Sequence, residues 1–144
     1  MYTKFFRILA VSISFCSCSE TSIKETPLDV IKKYERLVRE MKADSISQLF
    51  TNDAEIGHED QPVIKGRDSI YSFLSSFKNV RVILNRDEIV TSLIKNDSAI
   101  VNGNYTQTVI VSGKDTVNVS GKFIANMIRN KDNWLIAKMK TGSK

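Results

Sequence analysis

From residue 26 onward the apolar positions recur first at helical spacing and then at strand spacing. Thr26-Pro27-Leu28-Asp29 reads as a helix start: Thr26 caps, Pro27 suits the first turn and Asp29 favours the positive helix end. Ile31, Tyr34, Leu37, Val38 and Met41 then share one face, with Lys32, Lys33, Glu35, Arg36 and Arg39 elsewhere, which predicts an amphipathic helix to about Lys42. Asp44 caps a short second helix carrying Ile46, Leu49 and Phe50. Residues 54–58 and 63–65 read as short strands. Gly66 leads into a third helix over 67–77, with Ile70, Phe73, Leu74 and Phe77 as its buried stripe.

Beyond residue 79 the spacing changes to β. Residues 80–90, 98–111, 116–129 and 134–141 are rich in β-branched side chains. Lys95-Asn96-Asp97, Ser112-Gly113-Lys114 and Asn130-Lys131-Asp132-Asn133 supply turn chemistry between them. Helices first and a long meander afterwards predict an α+β fold, with helices on one face of a curved antiparallel sheet. A solvated back face is expected where Thr116, Asn118, Ser120 and Lys122 alternate with Val117, Val119, Gly121 and Phe123. Strands this long bend, and a bulge is expected near Gly103 or Gly121.

The N-terminal segment has a different pattern. Lys4 and Arg7 precede a short apolar run over 8–15, and Ser17 then stands before Cys18 and polar Ser19-Glu20. The run is shorter than the roughly 20 apolar residues that span a bilayer. It resembles a bacterial lipoprotein signal, with Phe15 where a leucine-like residue is usual. That resemblance implies a signal peptide over 1–17 and lipidation at Cys18, with Cys16 as the alternative. A tether over 18–25 and one domain over 26–144 would follow. The protein is then expected in the bacterial cell envelope, held to a membrane by its lipid and either periplasmic or surface-exposed.

Composition narrows the chemistry. The chain of 144 residues carries a formal charge of +5, but the two basic residues ahead of Cys18 belong to the segment removed. Both cysteines, Cys16 and Cys18, lie at the signal or anchor, so the domain has neither a disulfide nor a thiol nucleophile. A single histidine and no free thiol do not build a standard zinc site, and no EF-hand loop is present. Dispersed glycines give no phosphate loop, and no GxSxG elbow occurs. No metal or cofactor is therefore expected. Basic residues interleave with acidic ones, which argues against nucleic acid as a partner. Three Asn-x-Ser/Thr triplets, at Asn96, Asn104 and Asn118, matter only in a eukaryotic secretory pathway.

The order VIKKYERL (30–37), SQLFTNDAEI (47–56), VIKGRDS (63–69) and GKFIANMIRNKDNWLIAKMK (121–140) resembles the nuclear transport factor 2-like superfamily, which includes ketosteroid isomerase and SnoaL-like proteins. The resemblance covers nearly the whole domain and rests on order and spacing, each motif being loose. It implies a cone: a strongly curved antiparallel sheet closed by three N-terminal helices, with an apolar pocket at one end. Many members dimerise through the outer sheet face, so a homodimer is expected. Members include enzymes, binders and interaction modules, so the fold assigns no function.

Ketosteroid isomerase uses an aspartate base and a hydrogen-bond pair of a tyrosine and a protonated aspartic acid. Anchored on Leu49-Phe50 and Asp53-Ala54, its tyrosine falls on Tyr34 and its base on His58. Its protonated acid falls at Phe123, Ile124 or Ala125, none of which ionises, and Asn126 offers only an amide nearby. An imidazole can take a proton at neutral pH, so the exchange of base is chemically permissible. Losing one oxyanion donor costs about 10²–10³ in rate, so the isomerase reaction itself is not expected. Against these roles stand a core tyrosine at Tyr34 and a solvated or Glu-paired histidine at His58, beside Glu59, Asp60 and Gln61. Trp134 is expected to pack at the sheet end, and Lys138 and Lys140 to share the solvated face around Met139.

The expectation is a lipid-anchored domain that binds a small apolar molecule in its cone, oriented by Tyr34, His58, Asn126 and Met139. Two alternatives stand beside it. One is an isomerase- or dehydratase-type enzyme with His58 as general base and Tyr34 as hydrogen-bond donor. The other is a dimerisation or interaction module whose pocket is plugged by Met139, Phe123 or Met127.

Overall fold

In the computed structural model, which describes residues 24–143, the Thr26 hydroxyl accepts from the Asp29 amide while the Asp29 carboxylate accepts from the Thr26 amide. This reciprocal cap starts α1 (Pro27–Arg39) and holds the Asp29 carboxyl below its usual range, chiefly through the Thr26 hydroxyl. Thr26→Ala is expected to lower stability by about 1 kcal/mol, read from urea unfolding midpoints. The helix stops at Arg39, short of Lys42. Met41 takes a left-handed φ of 52°, its amide bonds to Val38 and that of Lys42 to Leu37, a Schellman closure without glycine.

The second helix, α2 (Ala43–Ser47), starts without a side-chain cap, and Asp44 lies inside its first turn. Leu49 and Phe50 are not on it. The Leu49 carbonyl accepts from the Ile136 amide, and Phe50 begins β1 (Phe50–His58), so sheet pairing draws this segment out of the helix. After β2 (Ile64–Lys65), α3 (Arg67–Ser75) is tied to the start of β1 by the Arg67 guanidinium, which donates through Nε and Nη2 to the Phe50 carbonyl. Of its expected stripe only Ile70 is buried. Phe73 and Phe77 are 38% and 39% exposed, stacked edge to face at 5.0 Å.

Four long strands follow: β3 (Val80–Lys95), β4 (Ser98–Val111), β5 (Asp115–Asn130) and β6 (Asn133–Ser143). Left-handed residues turn the chain between them at Asn96, Ser112, Gly113 and Lys131, within the three separators read from the sequence. The six-stranded sheet has the order β2-β1-β6-β5-β4-β3, antiparallel except for the β1–β6 pair. Helix α1 lies on its concave face against β3, β4 and β6, while α3 packs on α2, β1 and β2. The core between them is centred on Phe50, Ile31, Ile70, Met127, Ile136 and Val101. This is the α+β cone that the sequence pattern and the resemblance imply.

The sheet bends through bulges, and one of them is near Gly103 as the sequence suggests: the register breaks between Ile89, which pairs with Gly103, and Thr91, which pairs with Asn102. None falls at Gly121. The extra residues are Ile83 and Val90 on β3 and Ala137 on β6. The two glycines also allow close approach. A Cβ on Gly103 would lie 2.2 Å from the Glu88 carbonyl oxygen, and one on Gly121 would lie 2.2 Å from that of Gly142. Residues 116–120 are exposed on both faces, Val117 and Val119 included, because no helix among the described residues reaches that end of the sheet. On the outer face Glu55 bridges Lys65 at 2.9 Å and Lys138 at 2.7 Å, and the two ammonium groups, Lys138 foremost, hold its carboxyl down to about 2.

Candidate functional site

One bulge decides which β3 side chains enter the cone. Unbroken alternation from inward-facing Val82 would turn Leu84 and Arg86 inward. The extra residue Ile83 shifts the phase, so Asn85 and Asp87 face the cavity instead, opposite Gln107 and Tyr105 of β4. Asn85 is buried; its amide donates to the Glu35 carbonyl at 3.2 Å, and its side-chain oxygen accepts from Gln107 at 3.5 Å. Tyr105 needs the missing Cβ of Gly121, which would come within 2.8 Å of its hydroxyl.

The resulting cavity, of about 290 Å³, takes Tyr34 from α1, His58 from the end of β1, Asp87 and Asn85 from β3, Tyr105 from β4 and Thr141 from β6. Phe123, Met139, Ile56, Ile64 and Leu74 supply its apolar wall. Phe123 and Met139 are buried in that wall and do not plug the space; Met127 is deeper in the core. Tyr34, His58 and Met139 are thus brought together. Asn126 is not: it pairs with Ile100 and Lys138, in phase with the outer face, between inward-facing Ala125 and Met127. Cys18, like the whole signal and most of the tether, lies outside the described residues.

Electrostatics separate the three polar groups. Tyr34 is partly exposed as a residue, but its phenol oxygen lies in the buried part of the cleft. Burial first, then the Asp87 charge and Tyr105, push that phenol above its usual range, so it stays protonated and available as a donor. Tyr34 also meets Phe50 edge to face at 6.1 Å. Burial, with the Glu35 carboxylate as a lesser cause, pushes Asp87 up to about 7. Near neutrality this carboxyl can therefore donate or accept a hydrogen bond. His58 is half-buried, and among the described residues it makes no ion pair and its buried Nδ1 has no partner. It is not the Glu-paired surface histidine that its neighbours suggested, although Glu59 and Asp60 are the exposed loop charges expected.

Asp87 is the residue that sequence reasoning missed. Its neighbours give one signal, a polar pair Asn85/Asp87 at alternate positions in a strand, but the phase depends on Ile83. Trp134 packs as expected, buried, with the Arg129 guanidinium 5.3 Å from the ring centre. A larger hollow, of about 770 Å³, opens towards the outer face between Asn102, Asn104, Lys122, Ile124 and Lys140, and His58 stands at its border with the cone cavity. The perturbed carboxyl and the buried phenol lie in the smaller cavity, which is therefore the candidate site.

A curved sheet and three helices around a cavity with a few converging polar groups define a cone-fold domain. The model of the SnoaL-like domain family matches residues 23–140, and the chain belongs to that family. Among solved structures it is similar to a ketosteroid isomerase-like protein from Erwinia carotovora atroseptica, with a TM-score of 0.71 and 15% identity over 78% of this chain and 89% of that one. It is also similar to a nuclear transport factor 2-like protein with a cystatin-like fold from Novosphingobium aromaticivorans, with a TM-score of 0.65 and 17% identity over 80% and 77%. A third is a Catenulispora acidiphila protein in complex with S-DNPA, with a TM-score of 0.65 and 13% identity over 80% and 88%. No curated protein matches the chain in sequence. At these identities the likeness is one of fold.

Proposed function

We propose that the domain binds a small, largely apolar molecule in the cone cavity, oriented by Tyr34, Asp87 and His58, in an exported, lipid-anchored envelope protein. One observation carries the binding role: a protonated phenol, a carboxyl that titrates at about 7 and a buried imidazole nitrogen with no partner among the described residues line one cavity, beside an apolar wall of Phe123, Met139, Ile56, Ile64 and Leu74. Buried polar groups without partners are costly, and a ligand that bonds to them recovers that cost. The structural neighbour in complex with S-DNPA supports a binder on this fold. The anchor rests on the sequence pattern at Cys18 alone.

A second reading is proton-transfer catalysis of isomerase or dehydratase type, with His58 as base and Tyr34 as donor. Asp87 favours it, because a carboxyl at about 7 is suited to exchanging protons at neutral pH. It replaces, from a different strand, the acidic donor absent at Phe123, Ile124 and Ala125. For a homodimer, the support is the exposed outer-face row Leu93, Ile100, Ile124 and Ile128.

Native mass spectrometry of the protein purified from its own host tests the binding role. A bound small molecule is expected, and Tyr34→Phe should weaken its retention by roughly threefold to tenfold, the worth of one hydrogen bond. A protein that carries nothing, and whose mass spectrum is indifferent to Tyr34→Phe and His58→Leu, would overturn it.

A further inference from the structure

A second cavity, of about 400 Å³, abuts the first, and Tyr34, Val38, Leu74 and Gln107 line both. Its character is different. The walls are Val82, Val109, Val117 and Val119 of the sheet's concave face, with Phe77 and Met41 from the helical side. Among the described residues, no ionisable side chain other than Tyr34 lines it. Val117, Val119 and Phe77 are 43%, 38% and 39% exposed, so an apolar channel stands open beside the polar end of the cone. Two departures from the sequence pattern meet in this channel: Phe77, which lies beyond the end of α3, and the valines of β5 that no described helix covers.

The polar end limits the ligand as well. Among the described residues its lining includes no lysine or arginine, and its one carboxyl is Asp87. At pH 8 a ligand carboxylate or phosphate there would face the charged Asp87, with His58 the one lining side chain among the described residues able to carry a balancing positive charge, at the cost of burying a like-charge pair. A carbonyl or hydroxyl would instead accept from Tyr34 and exchange a hydrogen bond with Asp87.

Building on the binding role proposed above, we infer that the ligand is an elongated, uncharged amphiphile, with a carbonyl or hydroxyl head between Tyr34 and Asp87 and a hydrocarbon tail along the valine channel. The two cavities together fall in the size range of about 300–1,000 Å³ usual for small-molecule sites. The tail buries the exposed faces of Val117, Val119 and Phe77, which no other element of the described structure covers.

Calorimetric titration of the purified protein with 2-hexanone, 2-nonanone and 2-dodecanone, and with dodecanoate at pH 8, tests this. Full burial of a methylene tightens binding about fourfold, so affinity should rise roughly a hundredfold or more from 2-hexanone to 2-dodecanone. Dodecanoate should bind at least tenfold more weakly than 2-dodecanone. Val119→Asp, and separately Phe77→Ser at the exposed rim, should flatten the length dependence to less than twofold per methylene. If 2-hexanone binds but affinity does not grow with length, the channel is not a tail site and the inference fails while the cavity reading stands. If no ketone of any length binds, the cavity reading itself fails. Dodecanoate binding as tightly as 2-dodecanone would overturn the uncharged head. A dimer that Phe77→Ser breaks and 2-dodecanone leaves intact would place a second copy in the channel and overturn the tail.

Discussion

Asp87→Asn is expected to stabilise the protein at pH 8 by about 1–3 kcal/mol and to leave its stability at pH 4 nearly unchanged. The direction follows from where the proton resides. The folded protein keeps it on Asp87 up to about 7, while the unfolded chain loses it near the ordinary value of 3.8. Folding therefore gains from the protonated carboxyl below about pH 4, and that gain is lost progressively as pH rises towards 7. Above that, the charged carboxylate faces the apolar wall and the Glu35 carboxylate of α1, and the neutral amide is spared both. Solvent at the cavity mouth screens part of the cost, hence the width of the range. Thermal unfolding of both proteins across pH 4–8 decides it. Two parallel curves would mean that Asp87 is solvated and has no special place in the cavity.

The same substitution should separate binding from proton transfer. An amide still donates a hydrogen bond, so ligand retention should persist and lose its dependence on pH between about 6 and 8. A turnover that needs Asp87 to exchange its proton would vanish instead.

Gly121→Ala should be more damaging, by roughly 1–3 kcal/mol or more. The new methyl group would lie 2.2 Å from the Gly142 carbonyl oxygen and within 2.8 Å of the Tyr105 ring and hydroxyl. The backbone contact has no flexible end to yield, so β5 and β6 must separate or the ring must leave the cavity. Denaturant midpoints measure the first outcome, and loss of ligand with a partly retained fold measures the second. A variant as stable as the parent, with its ligand intact, would show that the sheet is not coiled this tightly at Gly121.

Much of the architecture was legible along the chain. The Thr26–Asp29 cap, the three helices, the three turn sequences and the four long strands all depend on local rules: capping, apolar spacing and left-handed turn residues. The order of these elements was enough to suggest the cone and its family. Errors fall where a local signal met a stronger pairing partner. Phe50 has helical spacing but is taken by Ile136 into the sheet, and the helix reading past Arg39 missed a closure made with Met41 in place of glycine.

The candidate site divides in the same way. Tyr34 and His58 were visible, since a helix face and a strand end are local facts. Asn126 was assigned inward when its alternation turns it outward. Asp87 depends on the unpaired Ile83, which costs one step of register and exchanges the two faces of β3 beyond it. Alternation specifies which residues share a face; only pairing with β4 specifies which face is inside. So the sequence by itself determined the elements, their order and the chemical types available to the cavity. The tertiary structure alone decided which carboxyl enters it, how far burial shifts that carboxyl, and that an uncovered apolar channel runs on beside it, because bulges, close glycine contacts and the reach of α1 are set by strand pairing and packing.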